Sequence, residues 1–304
     1  GFGSHTFQWL NAKGEAFWVK YHFKTRQGWD CFTDEEAQEM AGKNADYQRE
    51  DLFDAIERGD YPIWDVKVQI MPFAEAETYR YNPFDLTKTW SHKDYPLIDV
   101  GYFVLNRNPV NYFAQIEQLA FDPANLVPGV GLSPDRMLMA RAFAYADAHR
   151  YRIGPNYRQL PVNQPVHPVN TYAHQGPMAY QFNPASAPVY TPNRFDKGAG
   201  YLDDGVSSNS GYGAADELFI NPDPHGTDLG RAPYVAHPED DDFGQAGILY
   251  REVMDDGAKD RLAHNITNAM VGVSPETEQR CYWYWDQVDP QLGAEVRKRF
   301  AAKK

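Results

Sequence analysis

Apolar and polar positions alternate in four stretches of the first third of the chain. Thr6–Leu10 and Ala16–Phe23 flank Asn11-Ala12-Lys13-Gly14, a hairpin signal. Trp64–Met71 and Leu97–Leu105 alternate in the same way, so each predicts a strand with two unlike faces. Between the second and third stretches the pattern turns helical. Thr33-Asp34-Glu35-Glu36 opens a helix as a capping box, and residues 48–58 read as a second helix. Residues 1–110 are therefore expected to form a partial antiparallel β-barrel with a helical insert. Four long two-faced strands suit half a barrel, which by itself leaves two open edges and an exposed apolar face.

Residues 111–153 read as helical and end in a well-marked helix over 133–153. Ser133 suits its N-cap, Pro134 its first position and Asp135 the positive end of its dipole; Gly154-Pro155 stops it. Residues 154–240 hold more than half of the prolines and show little periodicity. Their Tyr and Phe content argues that they pack on something, because disordered segments are poor in aromatics. Residues 241–304 turn helical again, with helices expected over 244–254, 258–270, 275–285 and 290–301. The organisation is α+β in three parts: 1–110, 111–240 and 241–304.

Charge removes some partners. Lys plus Arg number 29 against 42 Asp plus Glu, a net charge of −13. That balance argues against nucleic acid or an anionic membrane surface as partner. Cys31 and Cys281 have no CxxC spacing, so a reducing compartment with buried thiols is expected. No apolar run reaches the length of a membrane span. The chain closes on Ala301-Ala302-Lys303-Lys304, unlike a peroxisomal Ser-Lys-Leu tail, so a cytoplasmic location is expected.

The candidate chemistry sits on the 133–153 helix. Met137, Arg141, Tyr145, His149 and Arg152 recur at spacings of four, four, four and three, which puts all five on one face. A core-facing stripe would carry Leu and Val there. A phenol one turn after a guanidinium is a way to hold a phenolate, and a phenolate is an iron ligand. Arg152 lies roughly 10 Å along the axis from Tyr145, at 1.5 Å per residue. The plain alternative is a surface helix with solvated arginines and a half-buried Tyr. A second set lies on strand-like segments: His22 and Lys24 share one face, and Trp90 and His92 stand in the same i, i+2 relation. No Gly-rich phosphate loop accompanies them, so composition alone gives no dinucleotide site.

The wording of five motifs adds to this. Gly3-Ser4-His5-Thr6-Phe7, Phe84-Asp85-Leu86-Thr87-Lys88-Thr89-Trp90, Tyr95-Pro96-Leu97, Val104–Phe113 with its Asn106-Arg107-Asn108-Pro109, and Arg141–Tyr157 stand in the order and spacing of the monofunctional haem catalases. The chain resembles that family closely from Gly1 to about Asn163 and more thinly beyond. The resemblance implies the second half of a catalase-like β-barrel, an irregular wrapping segment lying across neighbouring subunits of a homotetramer, and a C-terminal helical domain. It implies haem b with Tyr145 as iron ligand, Arg141 beside it, Arg152 at a propionate, Met137 against the haem, and His5 and Asp135 in a proximal network reaching Arg141. It matches His22, Lys24, Trp90 and His92, with Gln245, to the NADPH contacts of small-subunit catalases. The implied reaction is disproportionation of hydrogen peroxide to water and dioxygen. The family's distal His and Asn match nothing in this chain, so it is expected to carry the proximal side alone and to be catalytically silent by itself. Two other classes stay open: an allene-oxide-synthase-like isomerase of lipid hydroperoxides, and a non-enzymatic haem-binding module.

Overall fold

The computed structural model describes residues 1–166, 175–179 and 241–303. Most of the expected wrapping segment, 167–174 and 180–240, lies outside the described residues. Contacts divide the chain into two units: 1–24 with 63–232, and 25–62 with 233–304. The helical insert expected within the barrel thus groups with the C-terminal helices.

The first unit is built on a curled five-stranded sheet in the order β4-β3-β2-β1-β5. Its strands are β1 (Phe7–Leu10), β2 (Ala16–Thr25), β3 (Ile63–Pro72), β4 (Ile98–Val104) and β5 (Val130–Gly131). β1 and β2 pair antiparallel from Phe7↔Val19 to Leu10↔Ala16, and β3 pairs antiparallel with β4. The hairpin turn forms as its residues predict. Asn11 Oδ1 accepts from the N–H groups of Lys13 and Glu15, and Gly14 takes a φ of 78° that a side chain would disfavour. Trp18, Met71, Trp90 and Tyr95 make the buried cluster beneath the sheet, with Phe73 and Phe84 packed against it. Among the described residues β4 is an open edge, where Val100 and Tyr102 keep 58% and 63% of their surface exposed. The expected half-barrel is therefore present, with its unpaired edge.

Between β4 and α3 (Arg136–Arg152) the chain departs from the helical expectation for 111–153. Only a π-helical turn over Phe113–Glu117 forms before β5. Asp122-Pro123 and Pro128-Gly129 explain the difference, because each proline lacks an N–H and excludes helix from the residue before it.

Among the described residues the second unit is helical: α1 (Asp34–Lys43), α2 (Tyr47–Arg58), α4 (Gly244–Ile248), α5 (Asp256–Ala269), α6 (Pro275–Val288) and α7 (Pro290–Ala301). The capping box at Thr33 and Glu36 is formed in both directions. Tyr250, Ile266, Met270, Tyr282, Leu292, Val296 and Phe300 fill its core. Buried Asp289 ends α6 and caps α7, accepting from the N–H groups of Gln291 and Leu292. Glu35 on α1 accepts from His264 Nε2 at 2.9 Å and Asn268 Nδ2 at 2.6 Å, which ties the insert to α5. No helix among the described residues is long and apolar enough to cross a membrane.

Candidate functional site

The start of α3 is set by Asp135, a correction to the expected cap at Ser133. Oδ1 of Asp135 accepts from the N–H groups of Met137 and Leu138 at 2.9 and 3.1 Å, so the first helical residue is Arg136. Ser133 is drawn away by a distant partner: its hydroxyl donates to the carbonyl of Thr6. The other carboxylate oxygen of Asp135, Oδ2, lies 2.6 Å from His5 Nδ1. Both residues are buried, at 2% and 4% exposure.

Three residues continue the line. Arg141 Nη1 lies 2.8 Å from His5 Nε2, and Arg141 Nη2 donates to the Tyr145 hydroxyl oxygen at 2.9 Å. Arginine can only donate, so Nε2 of His5 must be a bare lone pair and its proton sits on Nδ1, facing the carboxylate. The sequence Asp135–His5–Arg141–Tyr145 is thus a chain of hydrogen bonds with one allowed polarity. It draws together residues separated by up to 140 positions. Among the described residues no acceptor takes the Tyr145 O–H, which leaves that oxygen open to a further partner. An oxygen that accepts from a fixed guanidinium is held in place with its remaining lone pair free to meet a metal.

Local backbone geometry aims His5. Gly3 N–H donates to the carbonyl of Tyr21 at 2.9 Å, and a Cβ on Gly3 would lie 2.8 Å from that same oxygen. Ser4 follows in the left-handed region at φ 44°, a strained conformation outside glycine. The pair turns the chain so that His5 enters the interior while Phe7 begins β1.

The rest of the α3 stripe is less uniform than its spacing implies. Met137 is half exposed on the turn before Arg141. His149 is buried, and its Nδ1 accepts from Arg152 at 3.2 Å while its Nε2–H donates to the carbonyl of Phe121 at 2.6 Å. Arg152 also donates to the carbonyls of Glu117 and Leu119 at 2.7 and 2.6 Å. Three of its five N–H groups are so engaged, and the pair pins the 117–121 segment beside the helix. Phe121 keeps 73% of its surface exposed there, an aromatic that spacing arguments miss.

The second set also meets, in part. His22 Nε2 lies 2.9 Å from Gln69 Oε1, and the rings of His22 and His92 stand edge to face at 5.9 Å. Lys24 Nζ lies 5.1 Å above the Phe2 ring. Trp90 is buried within the aromatic cluster. Two buried atoms here have no hydrogen-bond partner among the described residues: His22 Nδ1 and Trp90 Nε1. Buried polar atoms are almost always paired, so each of these two suits a further partner. Gln245 lies in α4, in the other unit.

Sequence reasoning missed Lys20 and Gln69. Lys20 Nζ is buried, donates to the carbonyl of Lys88 at 3.0 Å and lies 5.5 Å from the Trp90 ring. Burial pulls its pKa down to about 8, against the pull of the Asp135 and Asp85 charges in the other direction. The signal was available, since Lys20, His22 and Lys24 share one face of β2 at i, i+2 and i+4. Gln69 carried none, because an amide in an alternating strand reads as an ordinary polar position.

Comparison with known proteins agrees with the motifs. Residues 1–197 match the family model described as Catalase, and residues 236–300 match the one described as Catalase-related immune-responsive. The chain is 50% identical over 294 residues to the catalase of an Onchocerca volvulus endobacterium, covering 96% of this chain and 58% of that protein. It is 50% identical over 299 residues to catalase A of Pseudomonas putida, covering 98% and 59%. A solved bacterial catalase structure superposes with a TM-score of 0.86 at 69% identity, over 100% of this chain and 60% of that one. The chain spans about three fifths of the length of the relatives it matches.

Proposed function

The chain belongs to the catalase family, and from that premise we propose that it carries the proximal half of a Tyr-ligated haem b site for the disproportionation of hydrogen peroxide. The observation that carries the proposal is the single-polarity chain Asp135–His5–Arg141–Tyr145. The residues fit the group: an open phenol oxygen under a guanidinium, half-exposed Met137 two turns before it on the same helix, and exposed Phe121. When bound, haem supplies the redox centre at which one peroxide is reduced and a second is oxidised to dioxygen.

The chain's own residues supply position and charge. Tyr145 provides the iron ligand. Arg141 holds that oxygen as an acceptor, and His5 with buried Asp135 holds Arg141 in place at its other edge. Arg152 and His149 fix the 117–121 segment, and the two N–H groups of Arg152 left over are available to a propionate. None of the residues assigned here shuttles a proton on the peroxide side, so the 304-residue chain alone is expected to release negligible dioxygen. A homotetramer and an NADPH site at His22, Lys24, Trp90 and His92 belong to the same proposal; the orphaned atoms of His22 and Trp90 support the latter.

Haem titration of the purified chain tests the assignment. A saturable one-to-one spectrum that Tyr145→Phe abolishes supports it. Binding that survives in Tyr145→Phe and is lost on changing another side chain would assign the ligand elsewhere.

A further inference from the structure

Gln69 is fully buried in β3, and its side-chain nitrogen donates to two carbonyls, those of Trp90 at 3.2 Å and Tyr95 at 2.6 Å. An amide held by two acceptors through its nitrogen cannot turn over without leaving both of them unpaired. Its oxygen must therefore face His22 Nε2, at 2.9 Å. An acceptor at that distance requires a proton on Nε2. In the neutral ring Nδ1 is then a bare lone pair, and it is this atom that is buried without a partner.

What surrounds His22 is positive or donating. Lys20 and Lys24 flank it on β2, and His92 approaches from the segment after β3. Trp90 Nε1–H is a second buried group awaiting an acceptor. The carboxylates of Asp85 and Asp135 act on Lys20. Burial pushes the pKa of His22 below its usual 6.5, and Lys24, His92 and Lys20 push it the same way, against the hydrogen bond that His22 donates to Gln69. The free site therefore holds His22 neutral at pH 7, with a bare lone pair among cations that suit an anion.

We propose that this cluster takes up one proton together with its anionic ligand: a phosphate oxygen of the dinucleotide meets Nδ1, and His22 becomes an imidazolium held between that oxygen and Gln69. The proton comes from solvent and no electrons move. The inference rests on the NADPH reading above and adds to it a linkage. A ligand anion raises the pKa of His22, so between the free and bound values the affinity falls tenfold per pH unit. A ribose hydroxyl donating to the bare Nδ1 would also fill the position, but with no proton uptake.

Two measurements on the 304-residue chain decide it. Nitrogen NMR of the ligand-free chain is expected to show His22 as the Nε2–H tautomer, titrating below 6.5; an Nδ1–H tautomer overturns the lock by Gln69. Calorimetric titration of NADPH at pH 7, in buffers of different ionisation enthalpy, is expected to show uptake of about one proton per ligand. That uptake should vanish in His22→Gln. Binding with no buffer dependence, or equal uptake in the variant, overturns the proposal. Should NADPH not bind, inorganic diphosphate is the second probe. Protonation of His22 by diphosphate would keep the linkage and discard the NADPH reading, and no response to either anion would discard both.

Discussion

Asp135 does two jobs with two oxygens, and substitution can separate them. Oδ1 caps α3 through Met137 and Leu138, and Oδ2 accepts from His5. Asp135→Ala removes both. Loss of the cap costs about 1 kcal/mol. A buried His5 Nδ1–H left without an acceptor costs about 1–3 kcal/mol more. Asp135→Asn keeps a cap oxygen but sets an N–H2 against the Nδ1–H of His5. His5 cannot escape by moving its proton to Nε2, because Arg141 donates there. The Asn variant should therefore lose only the second term, about 1–3 kcal/mol. Urea denaturation of wild type, Asp135→Asn and Asp135→Ala measures this, with haem affinity followed in parallel. We expect stability in the order wild type, Asn, Ala, the last two separated by about 1 kcal/mol. Weakened haem binding is expected in both. An Asn variant as stable as wild type would show that His5 is not locked in one tautomer. An Asn variant as unstable as Ala would show that Asp135 does not cap the helix.

Other outcomes follow from the same geometry. Lys20 has a pKa of about 8 when folded, against 10.5 when exposed, so the unfolded chain binds more protons between those values. Stability should rise across pH 8 to 10.5, by up to about 3 kcal/mol at 1.36 kcal/mol per unit, and Lys20→Met should flatten that rise in urea midpoints taken over the range. Gly3→Ala brings a Cβ against the carbonyl of Tyr21 and should weaken haem binding with little change in the second unit; unchanged titration would remove the close approach as a reason for Gly3. Thr33→Ala should cost about 1 kcal/mol, seen as faster hydrogen exchange confined to the first turn of α1. Leu292→Ala, at a fully buried position in the helical unit, should cost about 2–5 kcal/mol by thermal or urea unfolding.

Local signals were legible in the sequence and long-range ones were not. The hairpin at Asn11–Gly14, the capping box at Thr33 and the stripe on α3 each depend on neighbours within a turn or two, so spacing suffices. The cap of α3 shows the limit. Ser133 and Asp135 are both good N-caps, and the choice between them falls to the carbonyl of Thr6, 127 positions away, which engages Ser133. His5 shows it again: a lone His in a strand-like segment carries no sign of Asp135 or Arg141, and only the motif wording joined them. The helical expectation for 111–135 overlooked prolines that were in plain view. Gln69 was invisible because its role exists only once β2 and β3 lie side by side.

The most direct test of the central claim is resonance Raman spectroscopy of the haem-loaded chain, prepared with ordinary and with ring-deuterated tyrosine. We expect phenolate modes that shift on deuteration and disappear in Tyr145→Phe. A haem spectrum with no isotope-sensitive phenolate modes would show that Tyr145 does not bind the iron, and the proximal assignment would fall with it.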